Sequence, residues 1–227
     1  MKKYIIFGVS QFLSDVIECI HANDGKVSKI YLNMPETAKE RTLSYQQRLD
    51  LLDYEVEVIE GLGAFAPEDG CAYVLGTPTV YKNLIVEGVK KDRDITFASL
   101  IHPTANLAST VHVGEGVFVN MSATIGPNVR LEDFCTVNRA ASIGHDSKVG
   151  RYSLIGPAAA IAGSTMIGKR SIVSMRATVL DRLVIGDLSV IGAAALVNKD
   201  IPSGVVAYGV PAKVVRENKE RTFKFFE

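Results

Sequence analysis

Four histidines are the chain's ready acid–base groups, and their settings differ. His21 ends an apolar-periodic segment, His102 precedes Pro103, His112 precedes the aliphatic Val113, and His145 stands in Ile143-Gly144-His145-Asp146. A carboxylate beside an imidazole can hold it in one tautomer, which leaves the other ring nitrogen to take a proton from a nucleophile. The plainer reading is a solvated surface histidine and an aspartate that suits a turn. Gly163 follows His145 at a spacing of 18, and its N–H has no side chain to keep it from a substrate carbonyl. A base and a bare donor are two of the parts that attack on a carbonyl needs. They work together only if the fold stacks positions at that spacing.

The chain repeats on a period that does so. From Ile101 to Val197 every sixth residue is Ile, Leu or Val, seventeen times in succession. At roughly a quarter abundance for these types, chance gives such a run about once in 10^10 trials. Neither the helical period nor the strand period generates a strict six. A six-residue step is a short strand plus a corner, and its repetition builds a parallel β-helix. Three such steps make one triangular coil in known folds of this kind, so seventeen give nearly six coils. The residue four places after the aliphatic is small or β-branched in most repeats, as at Ala123, Cys135, Ser153, Thr165, Ser171 and Ala195. A narrow prism needs such a partner beside each branched side chain. Glycine follows the aliphatic at Gly114, Gly126, Gly144, Gly150, Gly156, Gly168, Gly186 and Gly192, where the corner is expected to demand permissive φ and ψ.

Residues 1–98 follow a different grammar. Lys3 to Phe7 reads as a strand, Gly8-Val9-Ser10 as a turn, and Phe12, Leu13, Val16, Ile17 and Ile20 as one face of a helix that Ser10 or Ser14 could cap. Further strands are expected at Lys29–Leu32, Val56–Ile59 and Ala72–Leu75, with helices around Glu36–Leu52 and Leu84–Val89. Alternating strands and helices imply a small parallel sheet, similar to half of a dinucleotide-binding (Rossmann-like) fold. The expected domains are therefore this α/β unit (1–98), the β-helix (99–213) and a tail (214–227) whose Phe223, Phe225 and Phe226 cover an open end or pack on a neighbour.

Basic and acidic residues balance at 25 each in 227, and there is no Trp, which argues against a nucleic-acid partner. No apolar run approaches the roughly 20 residues of a membrane helix, and the start MKKYIIFGVS is too briefly apolar for a signal peptide. Three widely spaced cysteines fit no metal motif and suit reduced thiols in a cytoplasmic protein.

The repeat of aliphatic, Gly, two variable, small, variable resembles that of the hexapeptide-repeat acyltransferases. Ile101-His102-Pro103, Asn138, Ile143-Gly144-His145-Asp146 and Gly209-Val210-Pro211-Ala212-Lys213 are similar to the sialic-acid O-acetyltransferase and nucleotide-sugar N-acetyltransferase (bacillosamine, perosamine) group. That resemblance implies a left-handed β-helix, acetyl-CoA as co-substrate, no metal, and a homotrimer with its sites in grooves between prisms. By the same likeness His145 is the general base, Asp146 its partner and Gly163 the contact to the acetyl oxygen. Met175 and Ala193 match positions lining the acetyl-CoA groove, and Leu154 stands where relatives have a second, cofactor-touching histidine. Lys213 suits a phosphate or pantetheine contact. Asn138 matches an asparagine near the acceptor, or else stacks on Asn120 one coil below.

In the α/β unit the family's glycine-rich turn is reduced to Gly8 in Gly8-Val9-Ser10-Gln11-Phe12-Leu13, and Asn33 and Met34 replace the acidic residues expected after the second strand. Gly76 fits a later glycine contact, and Ser10 and Asn33 could bond a base or diphosphate. The implied activity is N-acetylation of a nucleotide-linked amino sugar (UDP-, GDP- or dTDP-4-amino-4,6-dideoxyhexose in type) for a bacterial surface glycan such as the lipopolysaccharide O-antigen. The alternatives are O-acetylation of sialic acid, another sugar or a small hydroxyl acceptor, and a non-catalytic solenoid scaffold. A zinc hydrolyase on the same helix would need three converging histidines, and His145 alone stands in mid-helix.

Overall fold

The computed structural model describes residues 1–33, 43–63, 65–80, 82–91 and 93–219. The chain forms two compact units, residues 1–78 with 82–100 and residues 79–81 with 101–227.

The first unit contains β1 (Lys2–Phe7), α1 (Leu13–Ala22), β2 (Gly25–Leu32), α2 (Tyr45–Leu49), β3 (Glu57–Glu60), β4 (Cys71–Leu75) and α3 (Asn83–Lys90). Its four strands are all parallel in the order β3-β2-β1-β4. Tyr4 to Phe7 of β1 are buried in succession, as a central strand covered on both faces requires. The α1 helix buries Leu13, Val16, Ile17, Cys19 and Ile20, the stripe its apolar spacing predicts. Neither serine caps it: the N-cap is Phe12, with no side-chain cap bond, while Ser10 Oγ accepts from Phe12 N at 3.1 Å in the preceding turn and Ser14 lies inside the helix, accepting from Arg48 Nη1 at 2.6 Å. Of the helix expected over 36–52, the described part contains α2, which the capping box of Ser44 and Gln47 opens; residues 36–42 of that span lie outside the described residues.

The second unit is a stack of mostly two-residue strands in three sheets of five, eight and six strands, parallel throughout except for the last pair of the eight-stranded sheet. Pairing joins Arg130 to Lys148, Thr136 to Leu154 and Ser142 to Ala160, so each coil takes three repeats. The sheets fit a left-handed β-helix. In each strand the aliphatic points inward, and Leu131, Val137, Val149, Ile155, Val173 and Ile191 are fully buried. The small position is interior as well. Its hydroxyls are satisfied there: Ser153 Oγ donates to Gly168 O at 2.6 Å and accepts from Ser171 N at 3.0 Å, and Ser171 Oγ repeats the pattern on Gly186 O and Ser189 N. A buried hydroxyl that bridges two coils carries no unpaired polar cost.

The corners correct one expectation. None of the glycines that follow an aliphatic has positive φ; the left-handed residue is the third after the aliphatic, with φ between 53° and 61° at every non-glycine site from Ser122 to Ala194. That conformation costs roughly 1–2 kcal/mol per non-glycine residue. It is offset by aiming the N–H at the coil below, as Asp146 N does to Pro127 O at 2.9 Å and Ser164 N to His145 O at 2.7 Å. The glycines serve close approach instead. A Cβ on Gly144 would lie 2.5 Å from Gly163 N, and one on Gly156 2.7 Å from Met175 N.

The prism ends in an antiparallel pair, Val205–Gly209 with Ala212–Glu217, joined through a cis Val210–Pro211 peptide. The strand runs through Val214, so the tail expected from that residue is partly sheet; Phe223, Phe225 and Phe226 lie outside the described residues. Among the described residues no helix is long and apolar enough to cross a membrane.

Candidate active site

Strand Ser142–Ile143 of the six-stranded sheet turns into Lys148–Val149 of the five-stranded sheet, and His145 and Asp146 form that corner. Both face solvent, at 64% and 51% side-chain exposure. Asp146 takes the left-handed position, φ 58°, which a short polar residue tolerates better than most. That conformation folds its carboxylate back on its neighbour, and His145 Nδ1 lies 2.7 Å from Asp146 Oδ2.

The carboxyl of Asp146 is held below the ordinary aspartate value, first by the amide of Asn128 and then by the His145 ring. It is therefore an anion near neutral pH. A depressed carboxylate stabilises the fold above its unfolded value and loses that contribution as pH falls through the folded one. As an anion Asp146 can only accept, so Nδ1 carries the proton and Nε2 carries the lone pair.

Gly163 explains where Nε2 points. A Cβ on Gly163 would lie 2.7 Å from His145 Nε2 and 2.8 Å from Cε1. The imidazole thus fills the place a side chain at 163 would take. At some matching corners the backbone N–H is taken, as where Glu115 N donates to Asp133 Oδ1 at 3.0 Å and Lys169 N to Asp187 Oδ1 at 2.7 Å, and at others, such as Met175 and Ala193, it is not. The Gly163 N–H donates to no acceptor among the described residues. A base and an uncommitted donor therefore sit side by side.

Gly163→Ala should lower kcat by about tenfold to a hundredfold with little loss of stability, because the atom displaced is the imidazole and not backbone. Steady-state kinetics together with a melting curve check this. A variant with normal kcat would mean the ring position is immaterial.

The other expected residues are distributed over the prism. Exposed Met175 and Ala193 occupy the corner between the eight- and six-stranded sheets, at the opposite edge of the six-stranded face from His145. Lys213 is exposed on the last strand, opposite Tyr208. Leu154 lies on the outer face of the eight-stranded sheet, packed against the cluster of Val80, Ile172, Val190 and Val206, so apolar contact accounts for it. Asn138 is buried, and its Oδ1 accepts from Asn120 Nδ2 at 3.1 Å and from Arg139 N at 2.8 Å. Asn138 thus forms the expected ladder on Asn120.

The α/β unit does gather its four candidates at the strand ends. Ser10 Oγ donates to Gly76 O at 3.2 Å, and Asn33 Oδ1 accepts from Val9 N at 3.2 Å. A Cβ on Gly76 would strike Gly8 O, and one on Gly8 would lie 2.7 Å from Ile85 Cδ1. Close approach of backbone requires Gly76, whereas Gly8 takes a positive φ of 75°, and much of the polar capacity is spent within the cluster. Met34 lies outside the described residues.

Asn128 went unread in the sequence. Its place one full coil before Asp146 was the signal that would have found it. Among the described residues no three His, Cys, Asp or Glu could hold a metal ion. Burial, and then Glu18, push the Cys19 thiol up to about 12, so it offers no thiolate near neutral pH.

No family model matches the chain, and neither does any curated protein. Among solved structures, PerB from Caulobacter crescentus in complex with CoA and GDP-perosamine is 26% identical, with a TM-score of 0.79 over 94% of this chain and 97% of that one. The perosamine N-acetyltransferase of the same organism with one histidine replaced by asparagine, in complex with the same two ligands, gives 25% identity and a TM-score of 0.80 over 95% and 97%. The acetyltransferase domain of PglB from Neisseria gonorrhoeae, at 22% identity, a TM-score of 0.79 and coverage of 95% and 100%, shares the fold. The chain thus resembles the hexapeptide-repeat acyltransferases of nucleotide sugars over nearly its whole length.

Proposed function

We propose that the chain N-acetylates a nucleotide-linked amino sugar, UDP-, GDP- or dTDP-4-amino-4,6-dideoxyhexose in type, from acetyl-CoA, with His145 as general base. The chain is an acetyl-CoA-dependent acetyltransferase, as are its neighbours with CoA bound. One observation carries the assignment of roles: Nε2 of an imidazole anchored by Asp146 lies against Gly163, whose N–H is uncommitted.

In the proposed reaction the neutral amine attacks the thioester carbonyl, and Nε2 takes its proton as the C–N bond forms. The carbonyl oxygen becomes an oxyanion beside the Gly163 N–H. Collapse of that intermediate breaks the C–S bond, and the departing thiolate of CoA takes the proton back from the imidazolium. Asp146 remains an anion throughout and steadies the transient positive charge on the ring.

Assembly as a homotrimer fits the arrangement of the corners. Met175 and Ala193 stand a whole prism face from His145, roughly 15–20 Å at strand rise. One flat face encloses no cofactor, whereas a neighbour's Met175 corner brought up to His145 makes a groove. The strand order β3-β2-β1-β4 supports a Rossmann-like unit whose cluster of Gly8, Ser10, Asn33 and Gly76 takes the nucleotide. The cytoplasm, where nucleotide sugars for a surface glycan are made, is the proposed setting.

Thiol release from acetyl-CoA, measured with a panel of UDP-, GDP- and dTDP-linked 4-amino sugars against hydroxyl acceptors, tests the proposal. Turnover with at least one amino sugar, and none with its hydroxyl counterpart, is expected. Turnover confined to hydroxyl acceptors would overturn the assignment of nitrogen as the nucleophile.

A further inference from the structure

Asn128 stands one coil below Asp146, at the same left-handed corner position, φ 60°. Its Nδ2 donates to Asp146 Oδ1 at 2.9 Å, while Asp146 Oδ2 lies 2.7 Å from His145 Nδ1. Its own backbone N–H is fixed by Thr110 Oγ1 at 2.9 Å, one coil lower again. Three stacked coils therefore end in one line of hydrogen bonds, Thr110–Asn128–Asp146–His145.

We propose that Asn128 is a positioning residue for acyl transfer: by engaging one carboxylate oxygen of Asp146 it turns the other toward His145 and fixes the tautomer that leaves the lone pair on Nε2. This rests on the reading of His145 as the base. An aspartate 51% exposed is otherwise free to rotate into water, and a carboxylate that wanders holds no ring. Asparagine suits the position on two counts. It accepts the left-handed conformation, and it is neutral, so it orients Asp146 without adding charge beside the imidazole.

The adjoining coils contain two ion pairs, and Arg130, in register with Lys148, is exposed. Lys148 meets Glu132 at 2.6 Å, and Arg182 meets Asp181 at 3.2 Å. Ser164, directly above Asp146 in the column, is uncharged. Asp146 is the charge in contact with the ring, and Asn128 is the group that aims it.

Two variants separate positioning from architecture. Asn128→Gly keeps a residue at ease with positive φ but removes the amide. It should lower kcat about tenfold, with KM for both substrates within about twofold and an unchanged melting curve. Asn128→Asp keeps the shape but sets a second carboxylate against the first. With two acceptors facing each other the bond that aims Asp146 is lost, and kcat should fall about as far as in Asn128→Gly, with KM again within about twofold.

A purely structural role for Asn128 would lower the melting temperature and leave kcat unchanged at temperatures where the variant is folded. Asn128→Gly with normal kcat at every pH, beside an inactive His145→Ala, would overturn the role of Asn128 alone. Should His145→Ala retain its activity, the base itself is misassigned and this role falls with it.

Discussion

His145→Ala should lower kcat by about 10^2 to 10^4, the range that a positioned general base contributes, while KM for acetyl-CoA and acceptor stays within about threefold. The split follows from the geometry. Nε2 acts on the proton only as the C–N bond forms, so its loss raises the barrier and not the ground state. The folded protein should scarcely notice. The side chain is 64% exposed and its polar partner Asp146 is 51% exposed, so no cavity opens and no buried group is orphaned. Surface changes of this kind fall within about 0.5 kcal/mol. Asp146→Asn should be milder in melting behaviour and intermediate in rate, since an amide can present its N–H to Nδ1 and select the wrong tautomer. Steady-state kinetics with a thermal melt settle both. An alanine variant that turns over normally would remove His145 from the reaction, and with it the meaning of the bare Gly163.

How the site was legible follows from how the prism is built. Positions three repeats apart are stacked neighbours, so Gly163 could be set over His145 by counting, and Asn128 under Asp146 by the same count. The adjacency of His145 and Asp146 needed no fold at all to be noticed, although only the left-handed corner explains why consecutive side chains meet. The glycines of the corners were misread, because a sequence shows where a side chain is missing but not whether φ or the next coil forbids it. Gly144 is barred from a side chain by Gly163 N at 2.5 Å, a contact made between coils. Leu154 was read through likeness to a family and Asn138 both through likeness and as a ladder on Asn120; the structure contains that ladder and packs Leu154 on the patch around Val80. In the α/β unit the bond from Ser10 to Gly76 spans 66 residues. No period announces such a contact, and the packing of β1 between β2 and β4 alone creates it.

Ile161→Ala should be the most damaging of the conservative core truncations for function. Ile161 is 3% exposed and is stacked between Ile143 and Val179 in the inward column of the six-stranded sheet, two residues before Gly163. Removing its branched end leaves a void in a narrow interior that cannot collapse, because the aliphatics above and below are held by their own coils. Such changes cost about 2–5 kcal/mol, or roughly 5–15 °C in the melt of a unit this size. A stack in which each coil contacts only its neighbours concentrates that loss nearby. The corner of Ala162, Gly163 and Ser164 should therefore loosen first, and activity should fall at temperatures where the rest of the prism is still folded. Ile191→Ala makes the comparison, since Ile191 is equally buried but belongs to the eight-stranded sheet. Its stability loss should be similar, with activity tracking the global melt. Temperature profiles of kcat set against circular dichroism distinguish the two. Coincident profiles for both variants would show that the prism melts as one unit and that the corner draws no special support from Ile161.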